Sequence, residues 1–186
     1  MQSSRCVLGL FACLLLALPA APAAAQEGAA AAPAARPEDV ASIDAIIAAL
    51  YDVISGPAGQ ARDWDRFRSL FLPGARLIAT GKDPQTGATR HVAMDAQGYV
   101  ERAGPGLERN GFFEREIRRR EERFGNIAHV FSAYESLRTT SDPQPFARGI
   151  NSIQLFNDGA RWWIVTILWD SERPDNPIPE RYISAR

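Results

Sequence analysis

The stretch RGINSIQLFNDGARWWIVTILWD, residues 148–170, places two apolar, β-branched runs on either side of Asn157-Asp158-Gly159. An Asn/Asp/Gly cluster between such runs marks a hairpin turn, so strands are expected over Gly149–Phe156 and Trp162–Trp169. The second run breaks the usual pattern. A strand with one face on a core and one in water alternates apolar and polar residues, whereas this one is apolar almost throughout and stops at Asp170. By strict alternation Trp162, Ile164, Thr166 and Leu168 share one face, and Trp163, Val165, Ile167 and Trp169 the other. Monomers avoid leaving such a row open to water. A second copy of the chain is therefore expected to cover the outer row, giving a homodimer. The alternative is that the tail carrying Pro174, Pro177 and Pro179 folds back over it.

Moving upstream, Phe112–Phe124 and Ile127–Leu137 flank Gly125-Asn126, another tight hairpin signal. A two-residue turn there sets Phe124 opposite Ile127 and Glu122 opposite His129. The N-terminal half reads as helical. Pro37-Glu38-Asp39 opens a helix, and Val40, Ile43, Ile47, Leu50 and Ile54 continue it to Ser55-Gly56-Pro57. Asp63 caps a second helix whose stripe is Trp64, Phe67, Leu70 and Phe71, ended by Pro73-Gly74. A short strand over Ala75–Thr80 with a return at His91–Ala93 follows. Asp95 then caps a third helix carrying Tyr99 and Val100, broken by Gly104-Pro105-Gly106. Helices first and an antiparallel meander last indicate an α+β fold.

The first residues have a different character. Arg5 precedes an apolar run over Cys6–Ala20, and Ala23-Ala24-Ala25 fits a small-residue cleavage site. This is the layout of a secretory signal peptide over residues 1–25, so a periplasmic or secreted bacterial protein is expected, with no stable membrane anchor after cleavage. An Ala/Pro-rich linker over 26–36 would lead into one domain over 37–186. Both cysteines, Cys6 and Cys13, lie in the signal segment, leaving no disulfide framework, thiol nucleophile or Cys-based metal site. Beyond residue 25, 20 basic residues face 22 acidic ones, and Lys82 is the only lysine. Nucleic-acid binding calls for a net basic face, so it is not expected. The run REIRRREER, residues 115–123, mixes both signs and reads as a solvated, cross-strand-paired surface.

With GNIAHVFSAYES, RGINSIQLFNDGARWWIVTILWD and NPIPERY in this order, residues Val40 to Tyr182 resemble the nuclear transport factor 2-like superfamily in its SnoaL-like branch. The resemblance implies a cone: a strongly curved antiparallel sheet wraps the N-terminal helices and leaves an apolar pocket at its open end. It also implies dimerisation through the outer face of the sheet, and acid–base chemistry in those members that are enzymes. Ketosteroid isomerase, which has this fold, works with an Asp base, a tyrosine and a protonated Asp.

The chain has no G-x-S-x-G elbow, phosphate loop, dinucleotide fingerprint or H-E-x-x-H. No cofactor and no metal site are expected. What remains is a small apolar molecule held in a pocket, with proton transfer as the available chemistry. A carboxylate or imidazole shielded from water titrates nearer neutrality. Asp170 and His129 are the catalytic candidates, Asp170 at the pocket rim and His129 tuned by Glu122. Tyr99 and Tyr134 are further acid–base candidates, and Trp64, Tyr99, Phe131, Asn151 and Trp169 are the candidate ligand contacts. Binding alone, an isomerase, dehydratase or cyclase on an apolar carbonyl or hydroxyl compound, and a protein-interaction module are the readings open at this point.

Overall fold

A computed structural model describes residues 33–184. The proposed signal peptide over 1–25 and residues 26–32 of the linker lie outside the described residues. Four helices precede or interrupt a six-stranded sheet: α1 (Pro37–Val40), α2 (Ile43–Ile54), α3 (Trp64–Ser69), β1 (Phe71–Lys82), β2 (Thr89–Met94), α4 (Ala96–Asn110), β3 (Phe113–Phe124), β4 (Ile127–Leu137), β5 (Ala147–Asn157) and β6 (Trp162–Ser171). The strand order is β2-β1-β6-β5-β4-β3. Every neighbouring pair is antiparallel except β1 and β6, which run parallel, so the sheet is mixed. The helices lie against one face of the curved sheet, as the resemblance implies, but the sheet is mixed rather than wholly antiparallel.

Three element boundaries differ from the sequence reading. The first helix is two, because Ser42 leaves the helical conformation and its hydroxyl accepts from the Ala45 N–H at 3.0 Å, starting α2 afresh. Phe71 does not close α3. It opens β1, which pairs with β6 at Ile164, slips register across Pro73-Gly74, and resumes at Arg76 opposite Thr166. Gly74 there takes a φ of 85°, which suits glycine. Finally, α4 runs through Gly104-Pro105-Gly106. Trp64 lies so close that a Cβ on Gly104 would sit 3.1 Å from its indole, and packing on α3 carries the helix past its proline.

The core lies between α2 and the inner face of the sheet. Ile46, Ile47, Leu50 and Val53 of α2 meet Val130, Ile153, Leu155, Ile164 and Ile167 from β4, β5 and β6, all buried. Two bulges set which side chains reach it. In β6, Leu155 pairs with Ile164 and Gln154 with Thr166, so Val165 is an extra residue. The inward side chains are therefore Trp162 and Ile164 before the bulge, then Ile167 and Trp169 after it. Neither strict-alternation row survives intact. In β3, Arg118 pairs with Ala133 but Glu116 pairs with Tyr134, making Ile117 the extra residue. A bulge changes the face of every side chain beyond it.

The last residues cross the outer face. Ile178 is buried, and the Tyr182 ring lies 5.0 Å from that of Phe131. The tail-covering alternative thus holds for the part of that face bearing Phe131 and Ser152, while Leu168 stays 40% exposed beneath it.

Candidate functional site

The cone encloses a cavity of about 300 Å³. Its walls come from Leu50 and Ile54 of α2, Phe67 of α3, Tyr99 and Leu107 of α4, Leu77 of β1, and Ile167 and Trp169 of β6. Tyr99 stacks on Phe67 with centroids 5.1 Å apart and meets the edge of Trp169 at 6.4 Å. Into this apolar enclosure the sheet delivers polar groups from three strands: Glu114 from β3, Tyr134 and Ser136 from β4, and Asn151 from β5. An apolar pocket with a few convergent polar groups is the usual form of a small-molecule site.

Glu114 is the distinctive member. Its Oε2 accepts from the Ser136 hydroxyl at 2.8 Å, and its own N–H donates to the Ser55 hydroxyl at 3.0 Å. Burial pushes its carboxyl up to about 7, outweighing the hydrogen bonds from Ser136 and Asn151 that favour the charged form. At neutral pH both protonation states are populated. Burial likewise raises the phenols, Tyr134 to about 12 and Tyr99 higher still, so both remain O–H donors. Tyr99 has no hydrogen-bond partner among the described residues, leaving its hydroxyl free for a ligand.

Behind Glu114 lies a buried polar chain. The Ser132 hydroxyl donates to Glu116 Oε1 at 2.6 Å, Tyr51 Oη and Ser132 Oγ are 2.8 Å apart, and Asn151 Nδ2 donates to Tyr51 Oη at 3.1 Å. Ser132 is fully buried, and Tyr51 and Asn151 nearly so.

Of the residues singled out from sequence, Tyr99, Asn151, Trp169 and Tyr134 line this cavity. Trp64 stands one layer behind, edge-on to Phe67, with its indole N–H donating to Glu108 Oε1 at 3.0 Å. Phe131, His129 and Asp170 are on the other side of the sheet. Glu122 does sit opposite His129 in the register, yet the imidazole Nε2 is 3.0 Å from the Ser152 hydroxyl. Asp170 borders an outer groove of about 400 Å³ between the sheet and the tail. Arg173 grips its carboxylate at 2.6 and 3.0 Å and holds it below the usual carboxylate range. Asp170 thereby ties down the start of the tail.

Counted back without interruption from the two-residue Gly125-Asn126 turn, strict alternation would put Glu114 and Glu116 on the outer face with His129. The bulge at Ile117 turns them inward. The available signal was the pair itself, two acids at alternate positions just before an arginine-rich run.

No protein-family model and no curated protein matches the chain. Solved structures do match. A protein of unknown function with a cystatin-like fold from Nostoc punctiforme aligns at TM-score 0.54 and 10% identity, over 71% of this chain and 90% of its own. A protein of unknown function from Mycobacterium tuberculosis aligns at 0.52 and 15%, over 73% of each chain. A scytalone dehydratase-like protein from Novosphingobium aromaticivorans aligns at 0.50 and 12%, over 72% of this chain and 83% of that one. At these identities the likeness is one of fold.

Proposed function

We propose that this chain is an exported protein that binds a small apolar carbonyl or hydroxyl compound in the inner cavity and moves a proton through Glu114. The observation that carries this reading is a carboxyl shielded by apolar walls and poised to titrate at about 7, the range in which one group can both take and return a proton. The ionised Glu114 would remove a proton from the carbon beside a carbonyl. The C–H electron pair becomes a C=C bond and the carbonyl oxygen takes the negative charge. The Tyr99 hydroxyl would donate to that oxygen, and Glu114 would then return its proton to the same or a neighbouring carbon. The aromatic walls would hold the apolar body of the ligand and keep bulk water away. The dehydratase-like neighbour is compatible with this chemistry but lends only its fold.

Cyclohexanone and 2-tetralone in heavy water, followed by proton NMR for deuterium uptake beside the carbonyl, test the proposal. Exchange should be accelerated by the protein and fall at least about 100-fold in Glu114→Gln, a loss typical of removing a general base. Ketones that bind the cavity without any accelerated exchange would leave a binding protein and overturn the proton-transfer reading.

We further propose that the chain works as a homodimer. Phe124, Ile127, Phe156 and Trp163 stand side by side across β3, β4, β5 and β6 on the outer face, beyond the reach of the tail. Phe124 is 85% and Ile127 60% exposed, and a second copy would take this row out of water.

A further inference from the structure

Among the described residues, Phe146 is the one member of the inner cavity's wall that is exposed, at 48%, and it marks the mouth. Its N–H donates to the Ser136 carbonyl at 2.9 Å, and its ring meets that of Phe112 edge-on with centroids 6.1 Å apart. Arg138 lies over the same ring, its Cζ 3.9 Å from the centroid. The strand register relates this cluster to the carboxyl inside. Glu114 pairs with Ser136 and Phe113 with Leu137, and both Glu114 and Ser136 face the cavity. Two residues further along each chain the same face recurs, so Phe112 and Arg138 form the next rung outward. About 7 Å of strand separates the two rungs.

The Arg138 guanidinium keeps most of its donors open. Among the described residues it makes one hydrogen bond, from Nη1 to the Gly111 carbonyl at 3.4 Å, and no carboxylate pairs with it. Asp142, the acid of the same turn, is occupied elsewhere. It accepts from the main-chain N–H groups of Arg138 and Thr139 at 2.8 and 3.2 Å, and from the Thr139 hydroxyl at 2.6 Å. A guanidinium carries its N–H donors in its own plane, and a cation attracted to the face of a ring leaves that edge free. Phe146 therefore holds a positive fork beside the opening. Inside, the conditions are opposite. A carboxylate taken between the apolar walls would lose its water and, whenever Glu114 is ionised, meet a like charge.

We propose that Arg138, held on Phe146, determines specificity at the mouth of the cavity, and that the compound it selects is a keto acid. Such a compound has an apolar body with a carbonyl at one end and a carboxylate at the other. The carboxylate pairs with the Arg138 fork at the mouth, in the two-bonded geometry that guanidinium and carboxylate share. The carbonyl end points inward, toward Glu114 and Tyr99, and Phe112, Phe146 and Trp169 flank the body between. A cation at the rim and a carboxyl inside thus decide which end of the ligand enters. The inference rests on the reading of the inner cavity as a site for carbonyl compounds and narrows their class, but its test reads binding rather than proton transfer.

The test compares cyclohexanone with 4-oxocyclohexanecarboxylate, which differ by one carboxylate, in nitrogen-15 NMR titrations at neutral pH followed at the Trp169 indole and the Phe146 N–H. Wild type should bind the keto acid at least about tenfold more tightly, roughly 1.4 kcal/mol. In Arg138→Gln the two affinities should come within about twofold of each other, because the paired charge is gone. Both ligands are read on the same variant, so a general loosening of the mouth cancels. In wild type the preference should also shrink several-fold between about 20 mM and about 500 mM salt, as an ion pair at a rim does, and this decides the matter if the glutamine variant does not fold. A preference that persists in Arg138→Gln or is indifferent to salt overturns the proposal. If cyclohexanone binds and the acid binds no better, this inference alone falls. If neither compound binds, the carbonyl reading of the cavity falls with it.

Discussion

The raised Glu114 carboxyl has a consequence for stability whose sign can be worked out. Its folded value of about 7 exceeds the 4.5 of an unperturbed glutamate. Below about 4.5 both folded and unfolded chains hold the proton and the group costs nothing. Between 4.5 and 7 the unfolded chain releases its proton first, so stability falls as the pH rises, and it levels off above 7. The whole drop is at most roughly 3 to 4 kcal/mol, from 1.36 kcal/mol per unit. Glu114→Gln is neutral throughout, keeps an acceptor for Ser136, and should lose this slope. Urea unfolding at pH 5, 6, 7 and 8 checks it: wild type should weaken relative to the variant across the series, and parallel curves would mean that Glu114 ionises as it does in water.

At the scale of the elements, Arg62 joins helices that line the cavity. It is buried, and its guanidinium donates to Ile54 O at 3.1 Å, to Gly56 O at 2.6 Å, and to Gln60 O and Leu107 O. These carbonyls include the last turn of α2 and a turn of α4, so one side chain ties both helices together. A Cβ on Gly56 would lie 2.7 Å from Arg62 Nη1, which explains the glycine there. Arg62→Ala should cost about 3 kcal/mol or more, because several buried carbonyls lose their donor at once. Arg62→Lys should recover little of this, since one ammonium cannot reach the same fork of acceptors. Thermal unfolding of the two variants reads the difference.

At the scale of the whole molecule, the outer face is divided between the chain's own tail and the open row of Phe124, Ile127, Phe156 and Trp163. If a second copy covers that row, sedimentation at micromolar concentration should show a dimer, and Trp163→Asp should give a folded monomer. A monomeric wild type would leave the tail as the only cover. Leu168→Asp is a control beneath the tail and should loosen residues 176–184 without changing assembly. The export reading also belongs here. Protein secreted by a host carrying the full sequence should begin near Gln26 by N-terminal sequencing, and retention of Met1 on most molecules would remove it.

Much of the fold was legible because local chemistry fixed it. The turn residues Gly125-Asn126 and Asn157-Asp158-Gly159 placed both hairpins, and the 3.6-residue spacing of apolar side chains placed α2. Asp63 and Asp95 cap the helices they were expected to cap, accepting from Arg66 N at 2.9 Å and Gly98 N at 2.7 Å. The aromatic pocket wall was legible in part, through Tyr99 and Trp169, because large apolar residues must be enclosed somewhere. Of the polar groups, Tyr134 and Asn151 were legible, but the carboxyl was not. Glu114 lies in a run whose charges alternate, and only the face it occupies separates a cavity group from a surface one. That face depends on the register beyond Ile117, as the inward set of β6 depends on the register beyond Val165. A bulge is the sheet's response to curving around the helices, and it adds one unpaired residue without a sequence signature of its own. The sequence by itself therefore determined which segments pair and which residues are apolar enough to enclose a cavity. Tertiary curvature decided which carboxylates face into it.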